Sequence, residues 1–263
     1  MTFTRRLAGL VLAAGLVEGI VAAPAGVHAQ ATPSLTVFAA ADLGPAFQKI
    51  VPVFEKNAHA KVTLVLGSTG TLAQQIRNGA PADVFFAANE SFVEGLVPDG
   101  LVLAQTRTRY AQGRIVTATL KSASLRINSL KDLADPRVRR VAIANPAHAP
   151  YGLAAQQALE ASGLWNVVQP KLVYAENVQQ AMQFVRSGSV DAGIVARAVV
   201  DVADLTWTLV DTKLHAPITQ MAAVLTRTKQ PGLARSFLEY VNGVQGRGVL
   251  REFGFLLPGE HFQ

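Results

Sequence analysis

Four times along this chain a short, unbroken apolar run stops at a small or polar residue and gives way to helical spacing. Residues 35–41 (LTVFAAA) stop at Asp42, and residues 62–66 stop at Gly67-Ser68-Thr69-Gly70. Residues 141–144 lead through a loop to Pro150-Tyr151-Gly152, and residues 172–174 lead to Asn177-Val178. Strands that are apolar throughout are buried on both faces, as in parallel sheets. A strand followed by a helix, repeated, implies an α/β fold with a parallel sheet. In such sheets ligands lie beyond the carboxyl ends of the strands, at the helix starts.

The local signals fill in the elements. Asp42 reads as the N-cap of a helix that buries Phe47, Ile50, Val51 and Phe54, with Pro45 in its first turn. Asn78-Gly79 ends the next helix, residues 83–87 form a third strand, and Asn89-Glu90 starts another helix. A second lobe opens near residues 114–118, and Ser129 with Asp132 has capping-box spacing. Tyr151-Gly152 opens a helix ending at Gly163, and Asn177 caps one that buries Val178, Ala181, Met182 and Val185. Residues 191–195 and 218–225 are further strands, and residues 232–249 supply C-terminal helix. Asp83, at a strand start, reads as structural, and Trp165 and Trp207 as packing residues. The division expected is residues 30–113 with 217–263 as lobe 1 and 114–216 as lobe 2. Two crossing segments leave a cleft between the lobes.

Residues 1–29 read as a secretory signal peptide and not as part of the fold. Arg5 and Arg6 form a positive start, residues 7–16 are apolar but too short to span a bilayer, and Val27-His28-Ala29 offers a small-residue cleavage pattern. Sec export to the periplasm is the default expectation. Without those residues the chain has 22 basic and 17 acidic side chains, a mild net +5. Arg137, Arg139 and Arg140 are the densest basic cluster and read as a solvated face; no nucleic-acid partner is expected. The chain has no cysteine, which excludes disulfides, thiol catalysis and thiolate metal sites.

A helix start offers unpaired N–H groups and a partial positive charge, so the four turns can hold an anion. They contain hydroxyls and amides but no Lys or Arg, which suits a compact, fully ionised oxyanion held by many dipoles in a dry cleft. Any one such turn is more often a capped helix; four of them, two in each lobe, point to a shared site. The chain lacks the phosphate-binding pattern G-x-x-x-x-G-K-[ST] and the dinucleotide pattern G-x-G-x-x-G. It has no H-x-x-x-H pair for zinc and no G-x-S-x-G elbow. Ser68 and Thr69 have no base nearby in sequence and read as hydrogen-bond donors, and His148 reads as a surface residue.

The segments TVFAAADL, GSTGTLAQQIRNGAPADVFFAA, ANPAHAPYGLAAQQALE and AENVQQAMQFVRSGSVDAGIV resemble the ModA-type molybdate-binding periplasmic proteins of ABC importers. The likeness runs through nearly the whole mature chain in the same order, and GAPADVF (residues 79–85) is its most specific part. The resemblance implies a two-lobed type II periplasmic-binding-protein fold, with mixed sheets flanked by helices and the ligand cleft between the lobes. It implies molybdate or tungstate as ligand, with no cofactor and no catalysis. Delivery to an ABC permease in the inner membrane, by a monomer, also follows from it. Carried over position by position, it assigns the ligand contacts to Asp42, Ser68, Thr69, Tyr151 and Val178, the last two through backbone N–H groups. Where the family has a serine, this chain has Asp42. Where many members have a tyrosine after GIV, it has Ala196, beside Arg197. Tyr151 is a candidate to replace that lost hydroxyl.

Asp42 sets a physical problem. A carboxylate ~4 Å from a dianion costs about 1 kcal/mol in water and several in a drier site. Either the carboxylate turns onto its own helix N–H groups and Asp42 offers only its backbone N–H, or it accepts a hydrogen bond from a protonated ligand such as phosphate or a phosphonate. The first arrangement is the expectation. A binding protein for a protonated oxyanion, or an enzyme on the same fold, remains the alternative.

Overall fold

The computed structural model of the protein describes residues 1–2, 32–200 and 203–260. The leader read at residues 1–29 lies, except for its first two residues, outside the described residues. Residues Thr32–Gln263 form one compact unit.

The chain alternates as its pattern requires. Strand β1 (Ser34–Ala40) leads to α1 (Gly44–Ala58), β2 (Lys61–Gly67) to α2 (Thr69–Arg77), and β3 (Val84–Ala87) to α3 (Glu90–Glu94). Then come β4 (Thr108–Gly113), β5 (Ile115–Leu120), β6 (Val141–Ala144), α4 (Pro150–Ala161) and α5 (Trp165–Val168). Next are β7 (Leu172–Ala175), α6 (Val178–Arg186), β8 (Ala192–Ala196) and β9 (Leu205–Leu209). The chain closes with β10 (Ile218–Val224), α7 (Pro231–Asn242) and α8 (Val244–Glu252).

The strands make two five-stranded mixed sheets, ordered β2-β1-β3-β10-β4 and β7-β6-β8-β5-β9. In the first, β1 runs parallel to β2 and β3, and β10 runs antiparallel to β3 and β4. The second repeats the plan: β6 is parallel to β7 and β8, and β5 is antiparallel to β8 and β9. The chain passes from the first sheet to the second at Arg114, between β4 and β5, and returns between β9 and β10. This is a two-lobed fold with flanking helices.

Side chains alternate faces along a strand, and the first sheet uses both. Leu35, Val37 and Ala39 of β1 join Val84 and Phe86 of β3 in one core with α1 and α7. Phe38, Phe85 and Ala87 point the other way, against Leu72, Ala73 and Ile76 of α2. Phe47, Phe86 and Phe237 meet edge to face, with ring centroids 5.1–5.8 Å apart, the geometry aromatic pairs prefer. The second sheet has its own core, into which Val178, Ala181, Met182 and Val185 of α6 pack. Trp165 and Trp207 are partly buried against it.

Asp83 fastens β1 to the turn after β10. Its Oδ2 accepts from the Thr36 amide at 2.7 Å and its Oδ1 from the Thr228 hydroxyl at 2.6 Å. Asp83→Ala leaves both donors unpaired and is expected to destabilise the protein by about 2 kcal/mol, read from urea unfolding.

Two expectations need correction here. The C-terminal segment is two helices, not one: the Gly243 backbone at φ −78°, ψ 177° is extended, ending α7 and starting α8. Asp42 does not cap α1; residues Ala41–Leu43 form a 3-10 turn, and Leu43 stands at the N-cap without a side-chain bond. Elsewhere local signals held. Asn177 accepts from the Gln180 amide at 3.0 Å and Asn89 from Ser91 at 2.9 Å, while Ser129 and Asp132 complete their capping box.

Candidate functional site

The four turns meet. One small cavity is bounded by Ala40, Ala41 and Asp42 after β1 and by Gly67, Ser68 and Thr69 at the start of α2. Its other walls are Ala88 after β3, Ala149, Pro150 and Tyr151 at the start of α4, and Asn177 with Val178 at the start of α6. All five residues singled out from the sequence, Asp42, Ser68, Thr69, Tyr151 and Val178, lie on it. The centre of a water-sized sphere can range over ≈ 10 Å³ inside it. That is about the space one water molecule needs, and far too little for a nucleotide, sugar or amino acid. Among the described residues no Lys or Arg lines it.

The local backbone explains what each turn can offer. Thr69, Pro150 and Val178 are the first residues of α2, α4 and α6, and Tyr151 follows directly on Pro150. Amides in a helix's first turn have no partner within the helix, so Thr69, Tyr151 and Val178 present N–H groups where the helix dipoles are positive. The Thr69 hydroxyl accepts from the Ala88 amide at 3.1 Å, which leaves its own proton free to donate.

Ser68 is placed differently. Its hydroxyl donates to the His148 carbonyl at 2.5 Å, an oxygen that also accepts the Gly70 amide at 2.9 Å. His148 Nδ1 lies 2.8 Å from the same Ser68 Oγ. Because the serine proton goes to the carbonyl, Nδ1 must carry the proton of that second contact, which assigns the tautomer and bars His148 from acting as a base on Ser68. The pair is a clasp between the two lobes, and His148 is half-buried in it, not a free surface residue.

A second bridge between lobes surrounds Asp42. The Tyr151 hydroxyl donates to Asp42 Oδ2 at 2.7 Å, and Gln220 Nε2 donates to the same oxygen at 2.6 Å and to the Tyr151 oxygen at 2.9 Å. The Tyr110 hydroxyl donates to Gln220 Oε1 at 2.6 Å. The Asp42 carboxylate therefore faces Tyr151 and Gln220 as well as the Asp42 and Leu43 amides of its own turn, and the Tyr151 hydroxyl is engaged and does not replace the missing tyrosine after GIV. The physical reason is burial. Asp42 is 1% exposed, and a buried carboxylate takes the strongest donors in reach. Its Oδ1 has no partner among the described residues.

Burial pushes the Asp42 carboxyl up to about 6, against smaller opposing effects from the Tyr151 and Gln220 hydrogen bonds and the Asp42 and Leu43 amides. Burial first, and then the Asp42 charge, raise the Tyr151 and Tyr110 phenols well above their usual range, so both stay protonated donors. Gly113 makes room for this network: a Cβ there would lie 2.1 Å from the Tyr151 hydroxyl.

Gln220, Tyr110 and His148 carry no functional role in the sequence reading. Gln220 alone left a signal, a polar residue in the middle of an apolar strand and wholly buried. Arg197 turns away from the cavity: its guanidinium lies 4.5 Å from the Trp207 ring centroid. It lines a wider groove of ≈ 680 Å³ with Lys49 and Arg186. Among the described residues no cluster of His, Cys, Asp or Glu could hold a metal ion, and no helix is long and apolar enough to cross a membrane.

Two lobes of mixed sheet, closed over a small cavity rimmed by helix starts, define a solute-binding protein of the two-lobed periplasmic type. A family model described as bacterial extracellular solute-binding protein matches residues 35–256. The chain belongs to that family. The molybdate-binding protein ModA of Azotobacter vinelandii is 35% identical over 231 residues, covering 83% of this chain and 88% of the relative. ModA of Mycobacterium tuberculosis H37Rv is 32% identical over 262 residues, 95% of this chain and 97% of the relative. The solved periplasmic molybdate-binding protein of A. vinelandii matches with a TM-score of 0.80 at 33% identity, covering 85% of this chain and 99% of that one. The sulfate-binding protein SubI from M. tuberculosis shares the fold at a TM-score of 0.72 and 17% identity, covering 86% of this chain and 88% of that one.

Proposed function

We propose that this protein captures one tetrahedral oxyanion, molybdate or tungstate, in the periplasm and delivers it to an ABC permease. The observation that carries the reading is the convergence of three helix starts and the Ala41–Leu43 turn on one small cavity without Lys or Arg. The ModA relatives name the anion. The backbone N–H groups of Asp42, Thr69, Tyr151 and Val178, with the Thr69 hydroxyl, hold its oxygens. Ser68 supports them by fixing the start of α2 against His148.

Residues 30–113 and 217–263 act as one lobe and 114–216 as the other. The anion touches both, so its binding energy favours the closed state, and the permease reads that shape. The protein works as a monomeric carrier exported by the leader at residues 1–29, without a cofactor and without catalysis.

Titration calorimetry with molybdate, tungstate, sulfate and phosphate tests the choice of anion. Molybdate or tungstate is expected to bind tightest; phosphate binding tighter than molybdate, with molybdate preference gained in Asp42→Ser, overturns it. The backbone donors are tested by Val178→Pro. Proline suits the first position of a helix, and Asn177 before it is extended at φ −147°, ψ 174°, as a pre-proline residue prefers. The change removes one N–H, and the ring keeps part of the apolar bulk that Val178 packs into the second core. Anion affinity is expected to fall at least tenfold, the worth of a hydrogen bond to a charge, with stability within about 1 kcal/mol of wild type.

A further inference from the structure

We propose that the anion does not bind alone: Asp42 takes up one solvent proton as the anion enters, so that the site loads an oxyanion and a proton together. The inference rests on the oxyanion reading above and concerns a group that reading leaves unexplained. A carboxylate 1% exposed lines the very cavity that is to receive a dianion. Among the described residues no cationic side chain offsets it there. The groups facing it are all neutral: Tyr151 from α4, Gln220 from β10 and, one bond further, Tyr110 from β4.

The other elements packed on the Ala41–Leu43 turn bring no counter-charge. Helix α6 contributes Val178 to the cavity. The nearby Arg197 is stacked on Trp207, Lys49 of α1 pairs with Glu252, and His148 is bonded to Ser68. The two side-chain donors both go to Oδ2, and among the described residues Oδ1 is buried without a hydrogen-bond partner. A proton on Oδ1 removes the like-charge repulsion and turns the one unpaired acceptor into a donor beside the anion. The remaining hydrogen bonds need no rearrangement, because Tyr151 and Gln220 donate to Oδ2 in either state.

Burial already raises the carboxyl to about 6. A neighbouring dianion pushes it further up. At pH 7 most molecules therefore start ionised and finish protonated. At pH 5.5 most are protonated beforehand. The sign follows: affinity falls as pH rises above about 6, by up to tenfold per pH unit, until the carboxyl of the loaded form has itself titrated.

Calorimetric titration with molybdate in buffers of different ionisation enthalpy separates anion binding from proton uptake. Wild type is expected to absorb about 0.9 proton per anion at pH 7 and about a quarter of one at pH 5.5. Asp42→Asn is expected to absorb close to none and to lose the pH dependence of affinity. Clear binding heat with no proton uptake in wild type at pH 7 overturns the inference, as does uptake that persists in Asp42→Asn. If that variant does not fold, the fall in wild-type uptake between pH 7 and 5.5 decides; equal uptake at both overturns it. No binding heat for molybdate, tungstate, sulfate or phosphate overturns the oxyanion reading itself, and this inference with it.

Discussion

Gly152→Ala is expected to cost about 3 kcal/mol of stability and to weaken anion binding in whatever folded protein remains. Helix propensity alone gives the opposite sign, because alanine is favoured over glycine in a helix by about 1 kcal/mol. Geometry decides. A Cβ at residue 152 would lie 2.0 Å from the Ala144 carbonyl oxygen, 2.7 Å from its carbon and 3.0 Å from the Asn145 carbonyl carbon. These are backbone atoms at the end of β6, which pairs with both β7 and β8, so no side chain can swing aside. The start of α4 must move instead. That start carries Tyr151, which lines the cavity and whose hydroxyl bonds Asp42. Overpacking of this kind reaches the upper end of its usual 1–3 kcal/mol range when the obstacle is rigid. Urea unfolding reads the stability; a variant as stable as wild type would show that α4 is free to slide and that its start does not fix the site.

Asp42→Asn is expected to gain stability over wild type as pH rises. The folded-state carboxyl titrates at about 6, raised by burial from an ordinary 3.8. Below pH 3.8 the group is protonated in folded and unfolded chains alike, and it carries no penalty. Between 3.8 and 6 the unfolded chain ionises while the folded one resists, so the wild type loses stability through this window. Above 6 the loss is complete, about two pKa units or roughly 3 kcal/mol. Asparagine keeps an oxygen for Tyr151 and Gln220 and has no proton to lose. The stability difference between variant and wild type should therefore widen by about 2.4 kcal/mol from pH 4 to pH 7. Chemical unfolding at a series of pH values measures it. A difference that stays flat would mean that Asp42 is solvated or paired with a cation in the folded protein.

What the sequence disclosed was what neighbours along the chain decide. The apolar runs of β1, β3 and β6, the caps at Asn89 and Asn177, and the buried face of α6 all follow from spacing and short-range hydrogen bonds, and so were legible. The same logic brought the four turns to strand ends and thus to one cavity. It failed where partners are far apart in sequence. A small polar residue after a strand reads as a cap, yet the Asp42 carboxylate is taken by Tyr151, 109 positions away, and by Gln220, 178 positions away. His148 looks like a loop residue until Ser68, 80 positions earlier, is brought against it. Strand β4, with Arg109 and Gln112 within it, lacks an apolar run, and its place is set by backbone pairing with β10 and Leu256, far along the chain. Gly243 broke the last helix in a segment whose apolar pattern continues across it.

The central claim is that neutral helix-start donors, and no Lys or Arg, hold the anion. Crystals grown with molybdate and measured at the molybdenum absorption edge test it directly. One anomalous peak is expected inside the cavity bounded by Asp42, Thr69, Tyr151 and Val178. Oxygens of the anion should lie about 2.7–3.2 Å from those backbone nitrogens. A peak in the groove by Lys49, Arg186 and Arg197, or an anion whose nearest donors are guanidinium or ammonium groups, would contradict it.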